Sequence, residues 1–523
     1  MGGAMCPVSS ATGEIKVMRR FPLAVLMLGL TTGLSGQTIE TSSAVTPENP
    51  VAAYVSAHRQ AIIDEFTQFL AIPNVASDTA NIQKNAGALT EMLKKRGLQV
   101  RLLTLENAPP AVLAWLPPDP ERRTVTFYAH YDGQPVEKAN WLQDPWKPAL
   151  VNKARPAADV NDSETRIYAR SASDDKAAII GLLAAFDAMQ AAHLPLSVNV
   201  RFLFEGEEEA GSPHLAAILA KYADALQSDL WVICDGPTSQ NGEPQVMFGS
   251  RGVLPVRITT FGPNRPLHSG HYGNWAPNPI AELVNLLAKL RTTDAEITIP
   301  HFYDPVRKLT PAERTALKNA PAIDAQLKTE LDLGRTEGHA PLLEQIMAPS
   351  LNLDRIEGGG TGPNPANAIP SSATAYIDFR LVPDQTPEVV KQQLEGYLSA
   401  LGYFVVSKPP TSAERREHAR VLRVVWEAGY PPQRTPIDAP VSQAFIAATR
   451  TVAGSHLVLL PTLGGSTPSF AFEQQFHKPV IGLPIANYDN NQHAANENLR
   501  LKNLWEGIEL YAAVMRQLGI YWK

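Results

Sequence analysis

Three apolar runs, each closed by acids or a histidine, constrain this chain more than any other feature. They are TVTFYAHYD at 124–132, SVNVRFLFEGEEEAGS at 197–212 and LWVICDG at 230–236. Rich in valine, isoleucine and aromatics, they predict strands at Thr124–Ala129, Ser197–Phe204 and Leu230–Cys234. Helix-period segments at 175–192 and 213–223 lie between them, and alternating strands and helices predict an α/β fold with a largely parallel sheet. Upstream, the spacing predicts a helix from Pro47, capped by Thr46, through Leu70, a second helix over Ile82–Arg96, and strands at Gln99–Leu105 and Ala111–Trp115.

The character changes near Arg251. A strand in VLPVRITTF, a helix at 279–291, two helical stretches in 311–346, strands near 351–357 and 372–381 and a helix at 387–401 predict an inserted α+β domain. The α/β pattern returns with a helix at 441–453, a strand at 478–483 and a final helix at 498–518. A chain of 523 residues exceeds one hydrophobic core, which agrees with a split domain. The expected organisation is a catalytic domain in two parts, 47–250 and 431–523, around a lid and dimerisation domain, 251–430.

Ahead of these, residues 1–36 are expected to be a signal segment, with Met18 as the true start, and 37–46 a Ser/Thr-rich linker. Arg19 and Arg20 precede an apolar stretch, Phe21–Leu30, and small residues follow, the pattern of an export signal too short to span a bilayer. This predicts an exported protein, periplasmic or secreted, with no membrane attachment after signal removal. Cleavage would leave Cys234 as the one cysteine, so no intrachain disulfide is expected. A net charge of −6 and a pI near 6.1 exclude the basic footprint of a nucleic-acid binder.

Ligands of open α/β sheets bind outside the carboxyl ends of the strands. There this chain places His130 and Asp132, Glu207–Glu209 and Asp235, while Asp174 and Asp175 open a helix and His493 lies in the late cluster NYDNNQHAANE. Singly, each has a plain alternative: a hydrogen-bonded surface histidine, a solvated acidic run, a first-turn acid, an Asp-Gly turn. Together, so many carboxylates at one edge need cations, because burying like charges is costly. Histidine and carboxylate donors suit zinc, and also manganese or cobalt. A carboxylate shared by two ions, with one acid kept off the metals as a base, is the two-metal hydrolytic arrangement.

The motifs HYDGQPV, NWLQDPW, ASDDK, EGEEEAGS, LHSG, FRLVP, GGSTP and HAANE occur in this order from about residue 50 to the end. In this they resemble the dinuclear-zinc metallopeptidases that include carboxypeptidase G, acetylornithine deacetylase, succinyl-diaminopimelate desuccinylase and aminoacylase, and look most like the carnosinase and non-specific dipeptidase branch. The resemblance implies that His130 and Asp235 bind one metal, Glu209 and His493 the other, and that Asp174 bridges both. It implies that Asp132 orients His130 and that Glu208 is the general base acting on a metal-bridging water. It also implies that the Asp174–Asp175 peptide bond is cis. Glu207 matches a variable position and is expected to be a solvated acid. His268 resembles a residue that reaches into the partner subunit's site to polarise the scissile carbonyl, which implies a homodimer. Asn367, Arg380 and Ser466 resemble groups that hold the substrate, and a guanidinium suits a carboxylate. The substrate implied is a small peptide.

His214, His271 and His301 show no partner in the sequence, Ser171, Ser173 and Ser269 form no triad pattern, and the Gly-rich GGGTG at 358–362 lacks a phosphate-loop context. Family members commonly carry glycine where this chain has Ala169, Ser171 and Ala177, and many dipeptidases carry glutamate where it has Leu463. That glutamate helps to receive a free α-amino group, so its absence leaves room for an N-acyl-amino-acid amidohydrolase using the same metals. The altered glycines leave room for a non-catalytic peptide-binding protein.

Overall fold

The strand Thr124–His130 is central to an eight-stranded sheet ordered Gln99–Leu103, Ala111–Trp115, Asn199–Glu205, Thr124–His130, Leu230–Ile233, Val480–Gly482, Gln245–Met247 and Val458–Leu460. The four consecutive strands from Asn199–Glu205 to Val480–Gly482 run parallel, and antiparallel pairs flank them. The computed structural model describes residues 49–152, 158–360 and 367–523. The expected signal segment, the linker, and the Thr46 cap and Pro47 start lie outside the described residues, as do residues 361 and 362 of the GGGTG loop.

Successive residues of the central strands face two different cores. Phe127, Ala129, Phe202, Phe204 and Val232 face a core shared with helices Pro50–Leu70, Thr79–Lys95, Lys176–Ala191, Pro440–Ala453 and Leu501–Tyr521. Tyr128, Leu203, Trp231 and Ile233 face the opposite side and pack under helices Leu215–Lys221 and Ser469–Phe476. Helices on both faces leave no wet side, as in other doubly covered sheets.

A second, five-stranded sheet is ordered Ser350–Gly358, Ser372–Leu381, Gly252–Phe261, Val421–Trp426 and Phe404–Val406, antiparallel except at its last pair. Here one face is covered. Leu254, Val256 and Ile258 share a core with Leu283, Leu286 and Leu287 of helix Pro279–Leu287 and with Val390, Leu394 and Leu398 of helix Pro387–Ala400. Burial along Gly252–Phe261 alternates strictly, the signature of a half-covered strand.

Several boundaries differ from the expectation. The described first helix begins at Pro50, with the Asn49 side chain accepting the N–H of Val51. The region 311–346 holds three short helices, Pro311–Asn319, Asp324–Glu330 and Leu342–Gln345, where two were expected. The last helix starts at Leu501, because Asn498–Arg500 is a strand paired with Arg166–Tyr168. No described helix is long and apolar enough to cross a membrane.

Candidate active site

The site is assembled over the carboxyl ends of the parallel strands. His130 is the last residue of its strand and is fully buried. Its Nε2 lies 2.9 Å from Asp174 Oδ1, and its Nδ1 lies 3.4 Å from Asp132 Oδ1 and 3.2 Å from the Asp132 carbonyl. The Asp132 carboxylate also accepts the backbone N–H groups of Glu208 and Glu209, each at 3.0 Å. One buried carboxylate thus sets both the His130 ring and the turn Glu208–Ala210. Asp174 ends the loop before helix Lys176–Ala191, and the Asp174–Asp175 peptide bond is cis. Asp174 Oδ2 lies 3.1 Å from His493 Nε2, which is 3.2 Å from Glu209 Oε2.

Two sets of donor atoms cluster within 4.8 Å of one another: His130, Asp175 and Asp235, and Asp174, Glu209 and His493. Asp174 joins the sets, since its two oxygens contact the two different histidines. Asp175 is not the exposed first-turn acid of the plain reading. It is buried, and its Oδ2 accepts the N–H of His130 at 3.3 Å.

The titration behaviour follows from crowding. Burial pushes Asp235 up to about 7, with the Asp174 charge adding to the effect. Burial also pushes Glu208 well up, and the charges of Asp235, Asp174 and Glu209 reinforce it against His130. Burial opposes a charged His130, but hydrogen bonds to Asp132 and Asp174 hold its pKa well above the usual imidazole value. Hydrogen bonds to Asp174 and Glu209 raise His493 to about 10. Burial alone would raise Asp174, yet His130 and His493 hold it far below the usual carboxylate range. The donor set fits a divalent cation on two counts. Carboxylates outnumber the imidazoles, and the buried Asp235 Oδ1 has no hydrogen-bond partner among the described residues.

Arg380 and Ser466 also meet: Arg380 Nη1 donates to Ser466 Oγ at 2.9 Å and its Nε to Asp378 Oδ2 at 2.7 Å. Tyr430 stacks on Phe470 with centroids 4.7 Å apart. Its phenol is pushed up to about 12, by burial first and then by the charge of Glu208, and it shares a hydrogen bond with Ser466. His268 and Asn367 stand together elsewhere. His268 pairs with Ala368 in a two-stranded ribbon, and the Asn367 carbonyl accepts the N–H of Ser269 at 2.9 Å. His268 is exposed, its ring 4.5 Å from that of His271, and among the described residues no hydrogen bond, ion pair or ring contact joins it to the cluster.

Residues 126–517 match the sequence profile of Peptidase family M20/M25/M40. The chain belongs to this family. The M20 peptidase is 30% identical over 422 residues to the Beta-Ala-His dipeptidase of Mus musculus, covering 79% of this chain and 80% of the relative. It is 29% identical over 426 residues to a Cys-Gly metallodipeptidase of Schizosaccharomyces pombe, covering 79% and 83%. The crystal structure of human carnosine dipeptidase 1 superposes with a TM-score of 0.72 at 26% identity, covering 90% of this chain and 98% of that one. This M20 peptidase is therefore a metal-dependent peptidase of the α/β type expected.

Some residues of the M20 peptidase stand differently from the sequence reading. Glu207 is buried, not solvated, and its carboxylate accepts the His214 backbone N–H at 2.9 Å and contacts His214 Nδ1 at 3.0 Å. His214 therefore has a partner, as do His271, on His268, and His301, on Asp304. Three contributors lay inside the quoted motifs without being singled out. Gln134 Nε2 donates to Glu209 Oε2 and Gln492 Nε2 to Asp174 Oδ2, each at 2.7 Å, and Glu497 is fully buried beneath Asp174. Position in the motifs HYDGQPV and HAANE was the available signal for Gln134 and Glu497. Tyr430 carried no sequence signal. Of the altered glycines, Ser171 takes a left-handed φ of 63°, a conformation that strains a non-glycine residue by about 1–2 kcal/mol. Its Oγ accepts from Asn74 Nδ2 at 2.9 Å. A Cβ on Gly133 would lie 2.2 Å from that same Oγ, so a side chain there would displace the Ser171 hydroxyl.

Proposed function

We propose that this M20 peptidase is an exported, homodimeric enzyme holding two divalent cations, zinc foremost and manganese or cobalt as substitutes, that hydrolyses dipeptides or removes carboxy-terminal residues. The carrying observation is Asp174, whose two oxygens contact His130 and His493 at 2.9 and 3.1 Å. The relatives' printed names, Beta-Ala-His dipeptidase and Cys-Gly metallodipeptidase, support the substrate class. Export rests on residues 18–36 of the sequence, and the dimer on segment 251–430.

In this reading His130 and Asp235 hold one cation, Glu209 and His493 the other, and Asp174 both. A cation bound there supplies Lewis-acid polarisation of the scissile carbonyl and lowers the pKa of water. Glu208 takes the proton of the attacking water and passes it to the leaving amine. None of the described hydrogen bonds engages its carboxylate, which leaves it free for that transfer. Arg380, with Ser466, receives the substrate carboxylate; Asn367 and His268, which stand together in one ribbon, come from a second copy, Asn367 to hold the carboxylate and His268 to steady the carbonyl oxygen.

Glu208→Gln keeps the shape and removes the base. Turnover is expected to fall by at least about 10²–10⁴-fold with metal content unchanged by elemental analysis. Near-normal turnover would end the proposal.

A second reading, hydrolysis of N-acyl amino acids, is favoured by Leu463. A methyl on Gly236, next to Asp235, would touch Leu463 Cδ2 at 3.9 Å, so an apolar group stands there instead of an acid for an ammonium. Parallel assays of Ala-Ala and N-acetyl-alanine separate the two, and a preference for Ala-Ala removes the second.

A further inference from the structure

Glu497 is 0% exposed, yet its carboxylate receives five hydrogen bonds. Oε1 accepts the N–H of Ser173 at 2.9 Å, the Ser173 hydroxyl at 2.8 Å and the N–H of Asp174 at 2.9 Å. Oε2 accepts the N–H of Ser171 at 2.9 Å and Arg170 Nη1 at 2.8 Å. A buried carboxylate is tolerated only when its lone pairs are filled and its charge is balanced, and this loop does both. Arg170 in turn lies over the Trp141 ring, 5.2 Å from its centroid.

The donors are not scattered. Each lies in the five-residue loop Arg170–Asp174 that delivers Asp174. The Glu497 backbone is fixed as well, because its carbonyl accepts the N–H of Ala169 at 3.2 Å and the strand Asn498–Arg500 pairs with Arg166–Tyr168. His493 lies four residues earlier in the same segment and touches the Asp174 carboxylate. One short segment therefore grips Asp174 twice, by its side chain through His493 and by its backbone through Glu497.

We infer that Glu497 is a positioning residue for the metal centre: it fixes the Asp174 backbone against His493 and thereby sets the affinity for the cations. This rests on the reading of Asp174 as a ligand. A glutamine at 497 can keep one oxygen for Asp174 and Ser173, but its NH₂ then faces the Ser171 N–H and Arg170, which are also donors.

The test uses the full chain with Zn²⁺ and Mn²⁺ as probes, in chelator competition and in kinetics at saturating metal. Glu497→Gln is expected to weaken metal binding by about 10–100-fold and to lower kcat by a similar factor. KM should stay within about twofold, because Arg380 and Ser466 are untouched. A variant that melts earlier without metal but binds metal as the native protein does would overturn the inference. Asp174→Asn is the control. If it binds metal normally, the reading of the site fails; if it loses metal while Glu497→Gln keeps it, the inference alone fails. Should Glu497→Gln not fold, Ser173→Ala removes a single donor. A severalfold loss of metal affinity there supports the inference, and an unchanged affinity overturns it.

Discussion

His493 sits 56% exposed between Asp174 and Glu209, and its two carboxylate partners decide how the metal-free protein responds to pH. Its pKa is about 10, and that of Asp235 about 7. A cation needs the lone pairs that these protons occupy, so metal uptake releases protons and affinity rises with pH. Below about pH 7 Asp235 and both histidines release protons on binding; above it Asp235 is already ionised and the protons come from His493 and from His130, whose pKa is also raised. Titration calorimetry in buffers of different ionisation enthalpy measures this, and uptake without proton release at about pH 6 would refute it. The metal-free fold has its own slope. Because the folded His493 pKa lies above the unfolded value near 6.5, its contribution is complete below 6.5 and is lost as pH rises through about 10. At this scale Asp132 was legible from its place two residues after His130, and the structure adds its grip on the Glu208 and Glu209 backbone. The burial of Glu207 was not legible, because an acidic run looks the same whether one member turns inward or all stay wet.

Helix Lys176–Ala191 shows how elements lock together. Almost every residue in it is buried, including Lys176 at its start. Lys176 Nζ donates to the carbonyls of Phe69 at 2.8 Å and Ile72 at 3.2 Å, at the end of helix Pro50–Leu70, and sits 4.2 Å from the Phe69 ring centroid. Burial pushes this ammonium well below its usual pKa of 10.5. Native protein therefore binds fewer protons than unfolded chain between those two values, and stability rises with pH there. Lys176→Met leaves two helix-end carbonyls without their donor. It is expected to destabilise the fold by about 1–3 kcal/mol and to remove that part of the pH slope in urea unfolding. An unchanged midpoint and slope would count against this account. Long elements such as this helix and the strand Ser372–Leu381 were visible in the sequence through their apolar pattern. The three-residue strands Gln245–Met247, Val458–Leu460 and Phe404–Val406 were not, since three residues carry no measurable period.

For the whole molecule, the proposed dimer has a physical basis in surface left uncovered by one chain. Strand Ser350–Gly358 is a sheet edge, with Leu353 36% and Ile356 53% exposed, and Trp275, seven residues after His268, is 80% exposed. If His268 acts across subunits, mixing Glu208→Gln and His268→Ala chains, each inactive alone, restores activity in the heterodimer, which holds one complete site. Mixed chains that remain inactive while forming dimers would rule this out.

The chain's own residue order determined the chemistry on offer: which apolar runs would be strands, and which acids and histidines would stand at their ends. Hydrophobic burial alone dictates that much, because apolar runs must be covered and the residues that close them must emerge. Only the tertiary structure decided how those ends meet. Asp174 and His493 are separated by more than three hundred residues of sequence, and they meet at 3.1 Å where Asn498–Arg500 pairs with Arg166–Tyr168 and the Glu497 carboxylate accepts the Asp174 N–H. Such contacts arise from packing between distant segments, which no local period or propensity encodes.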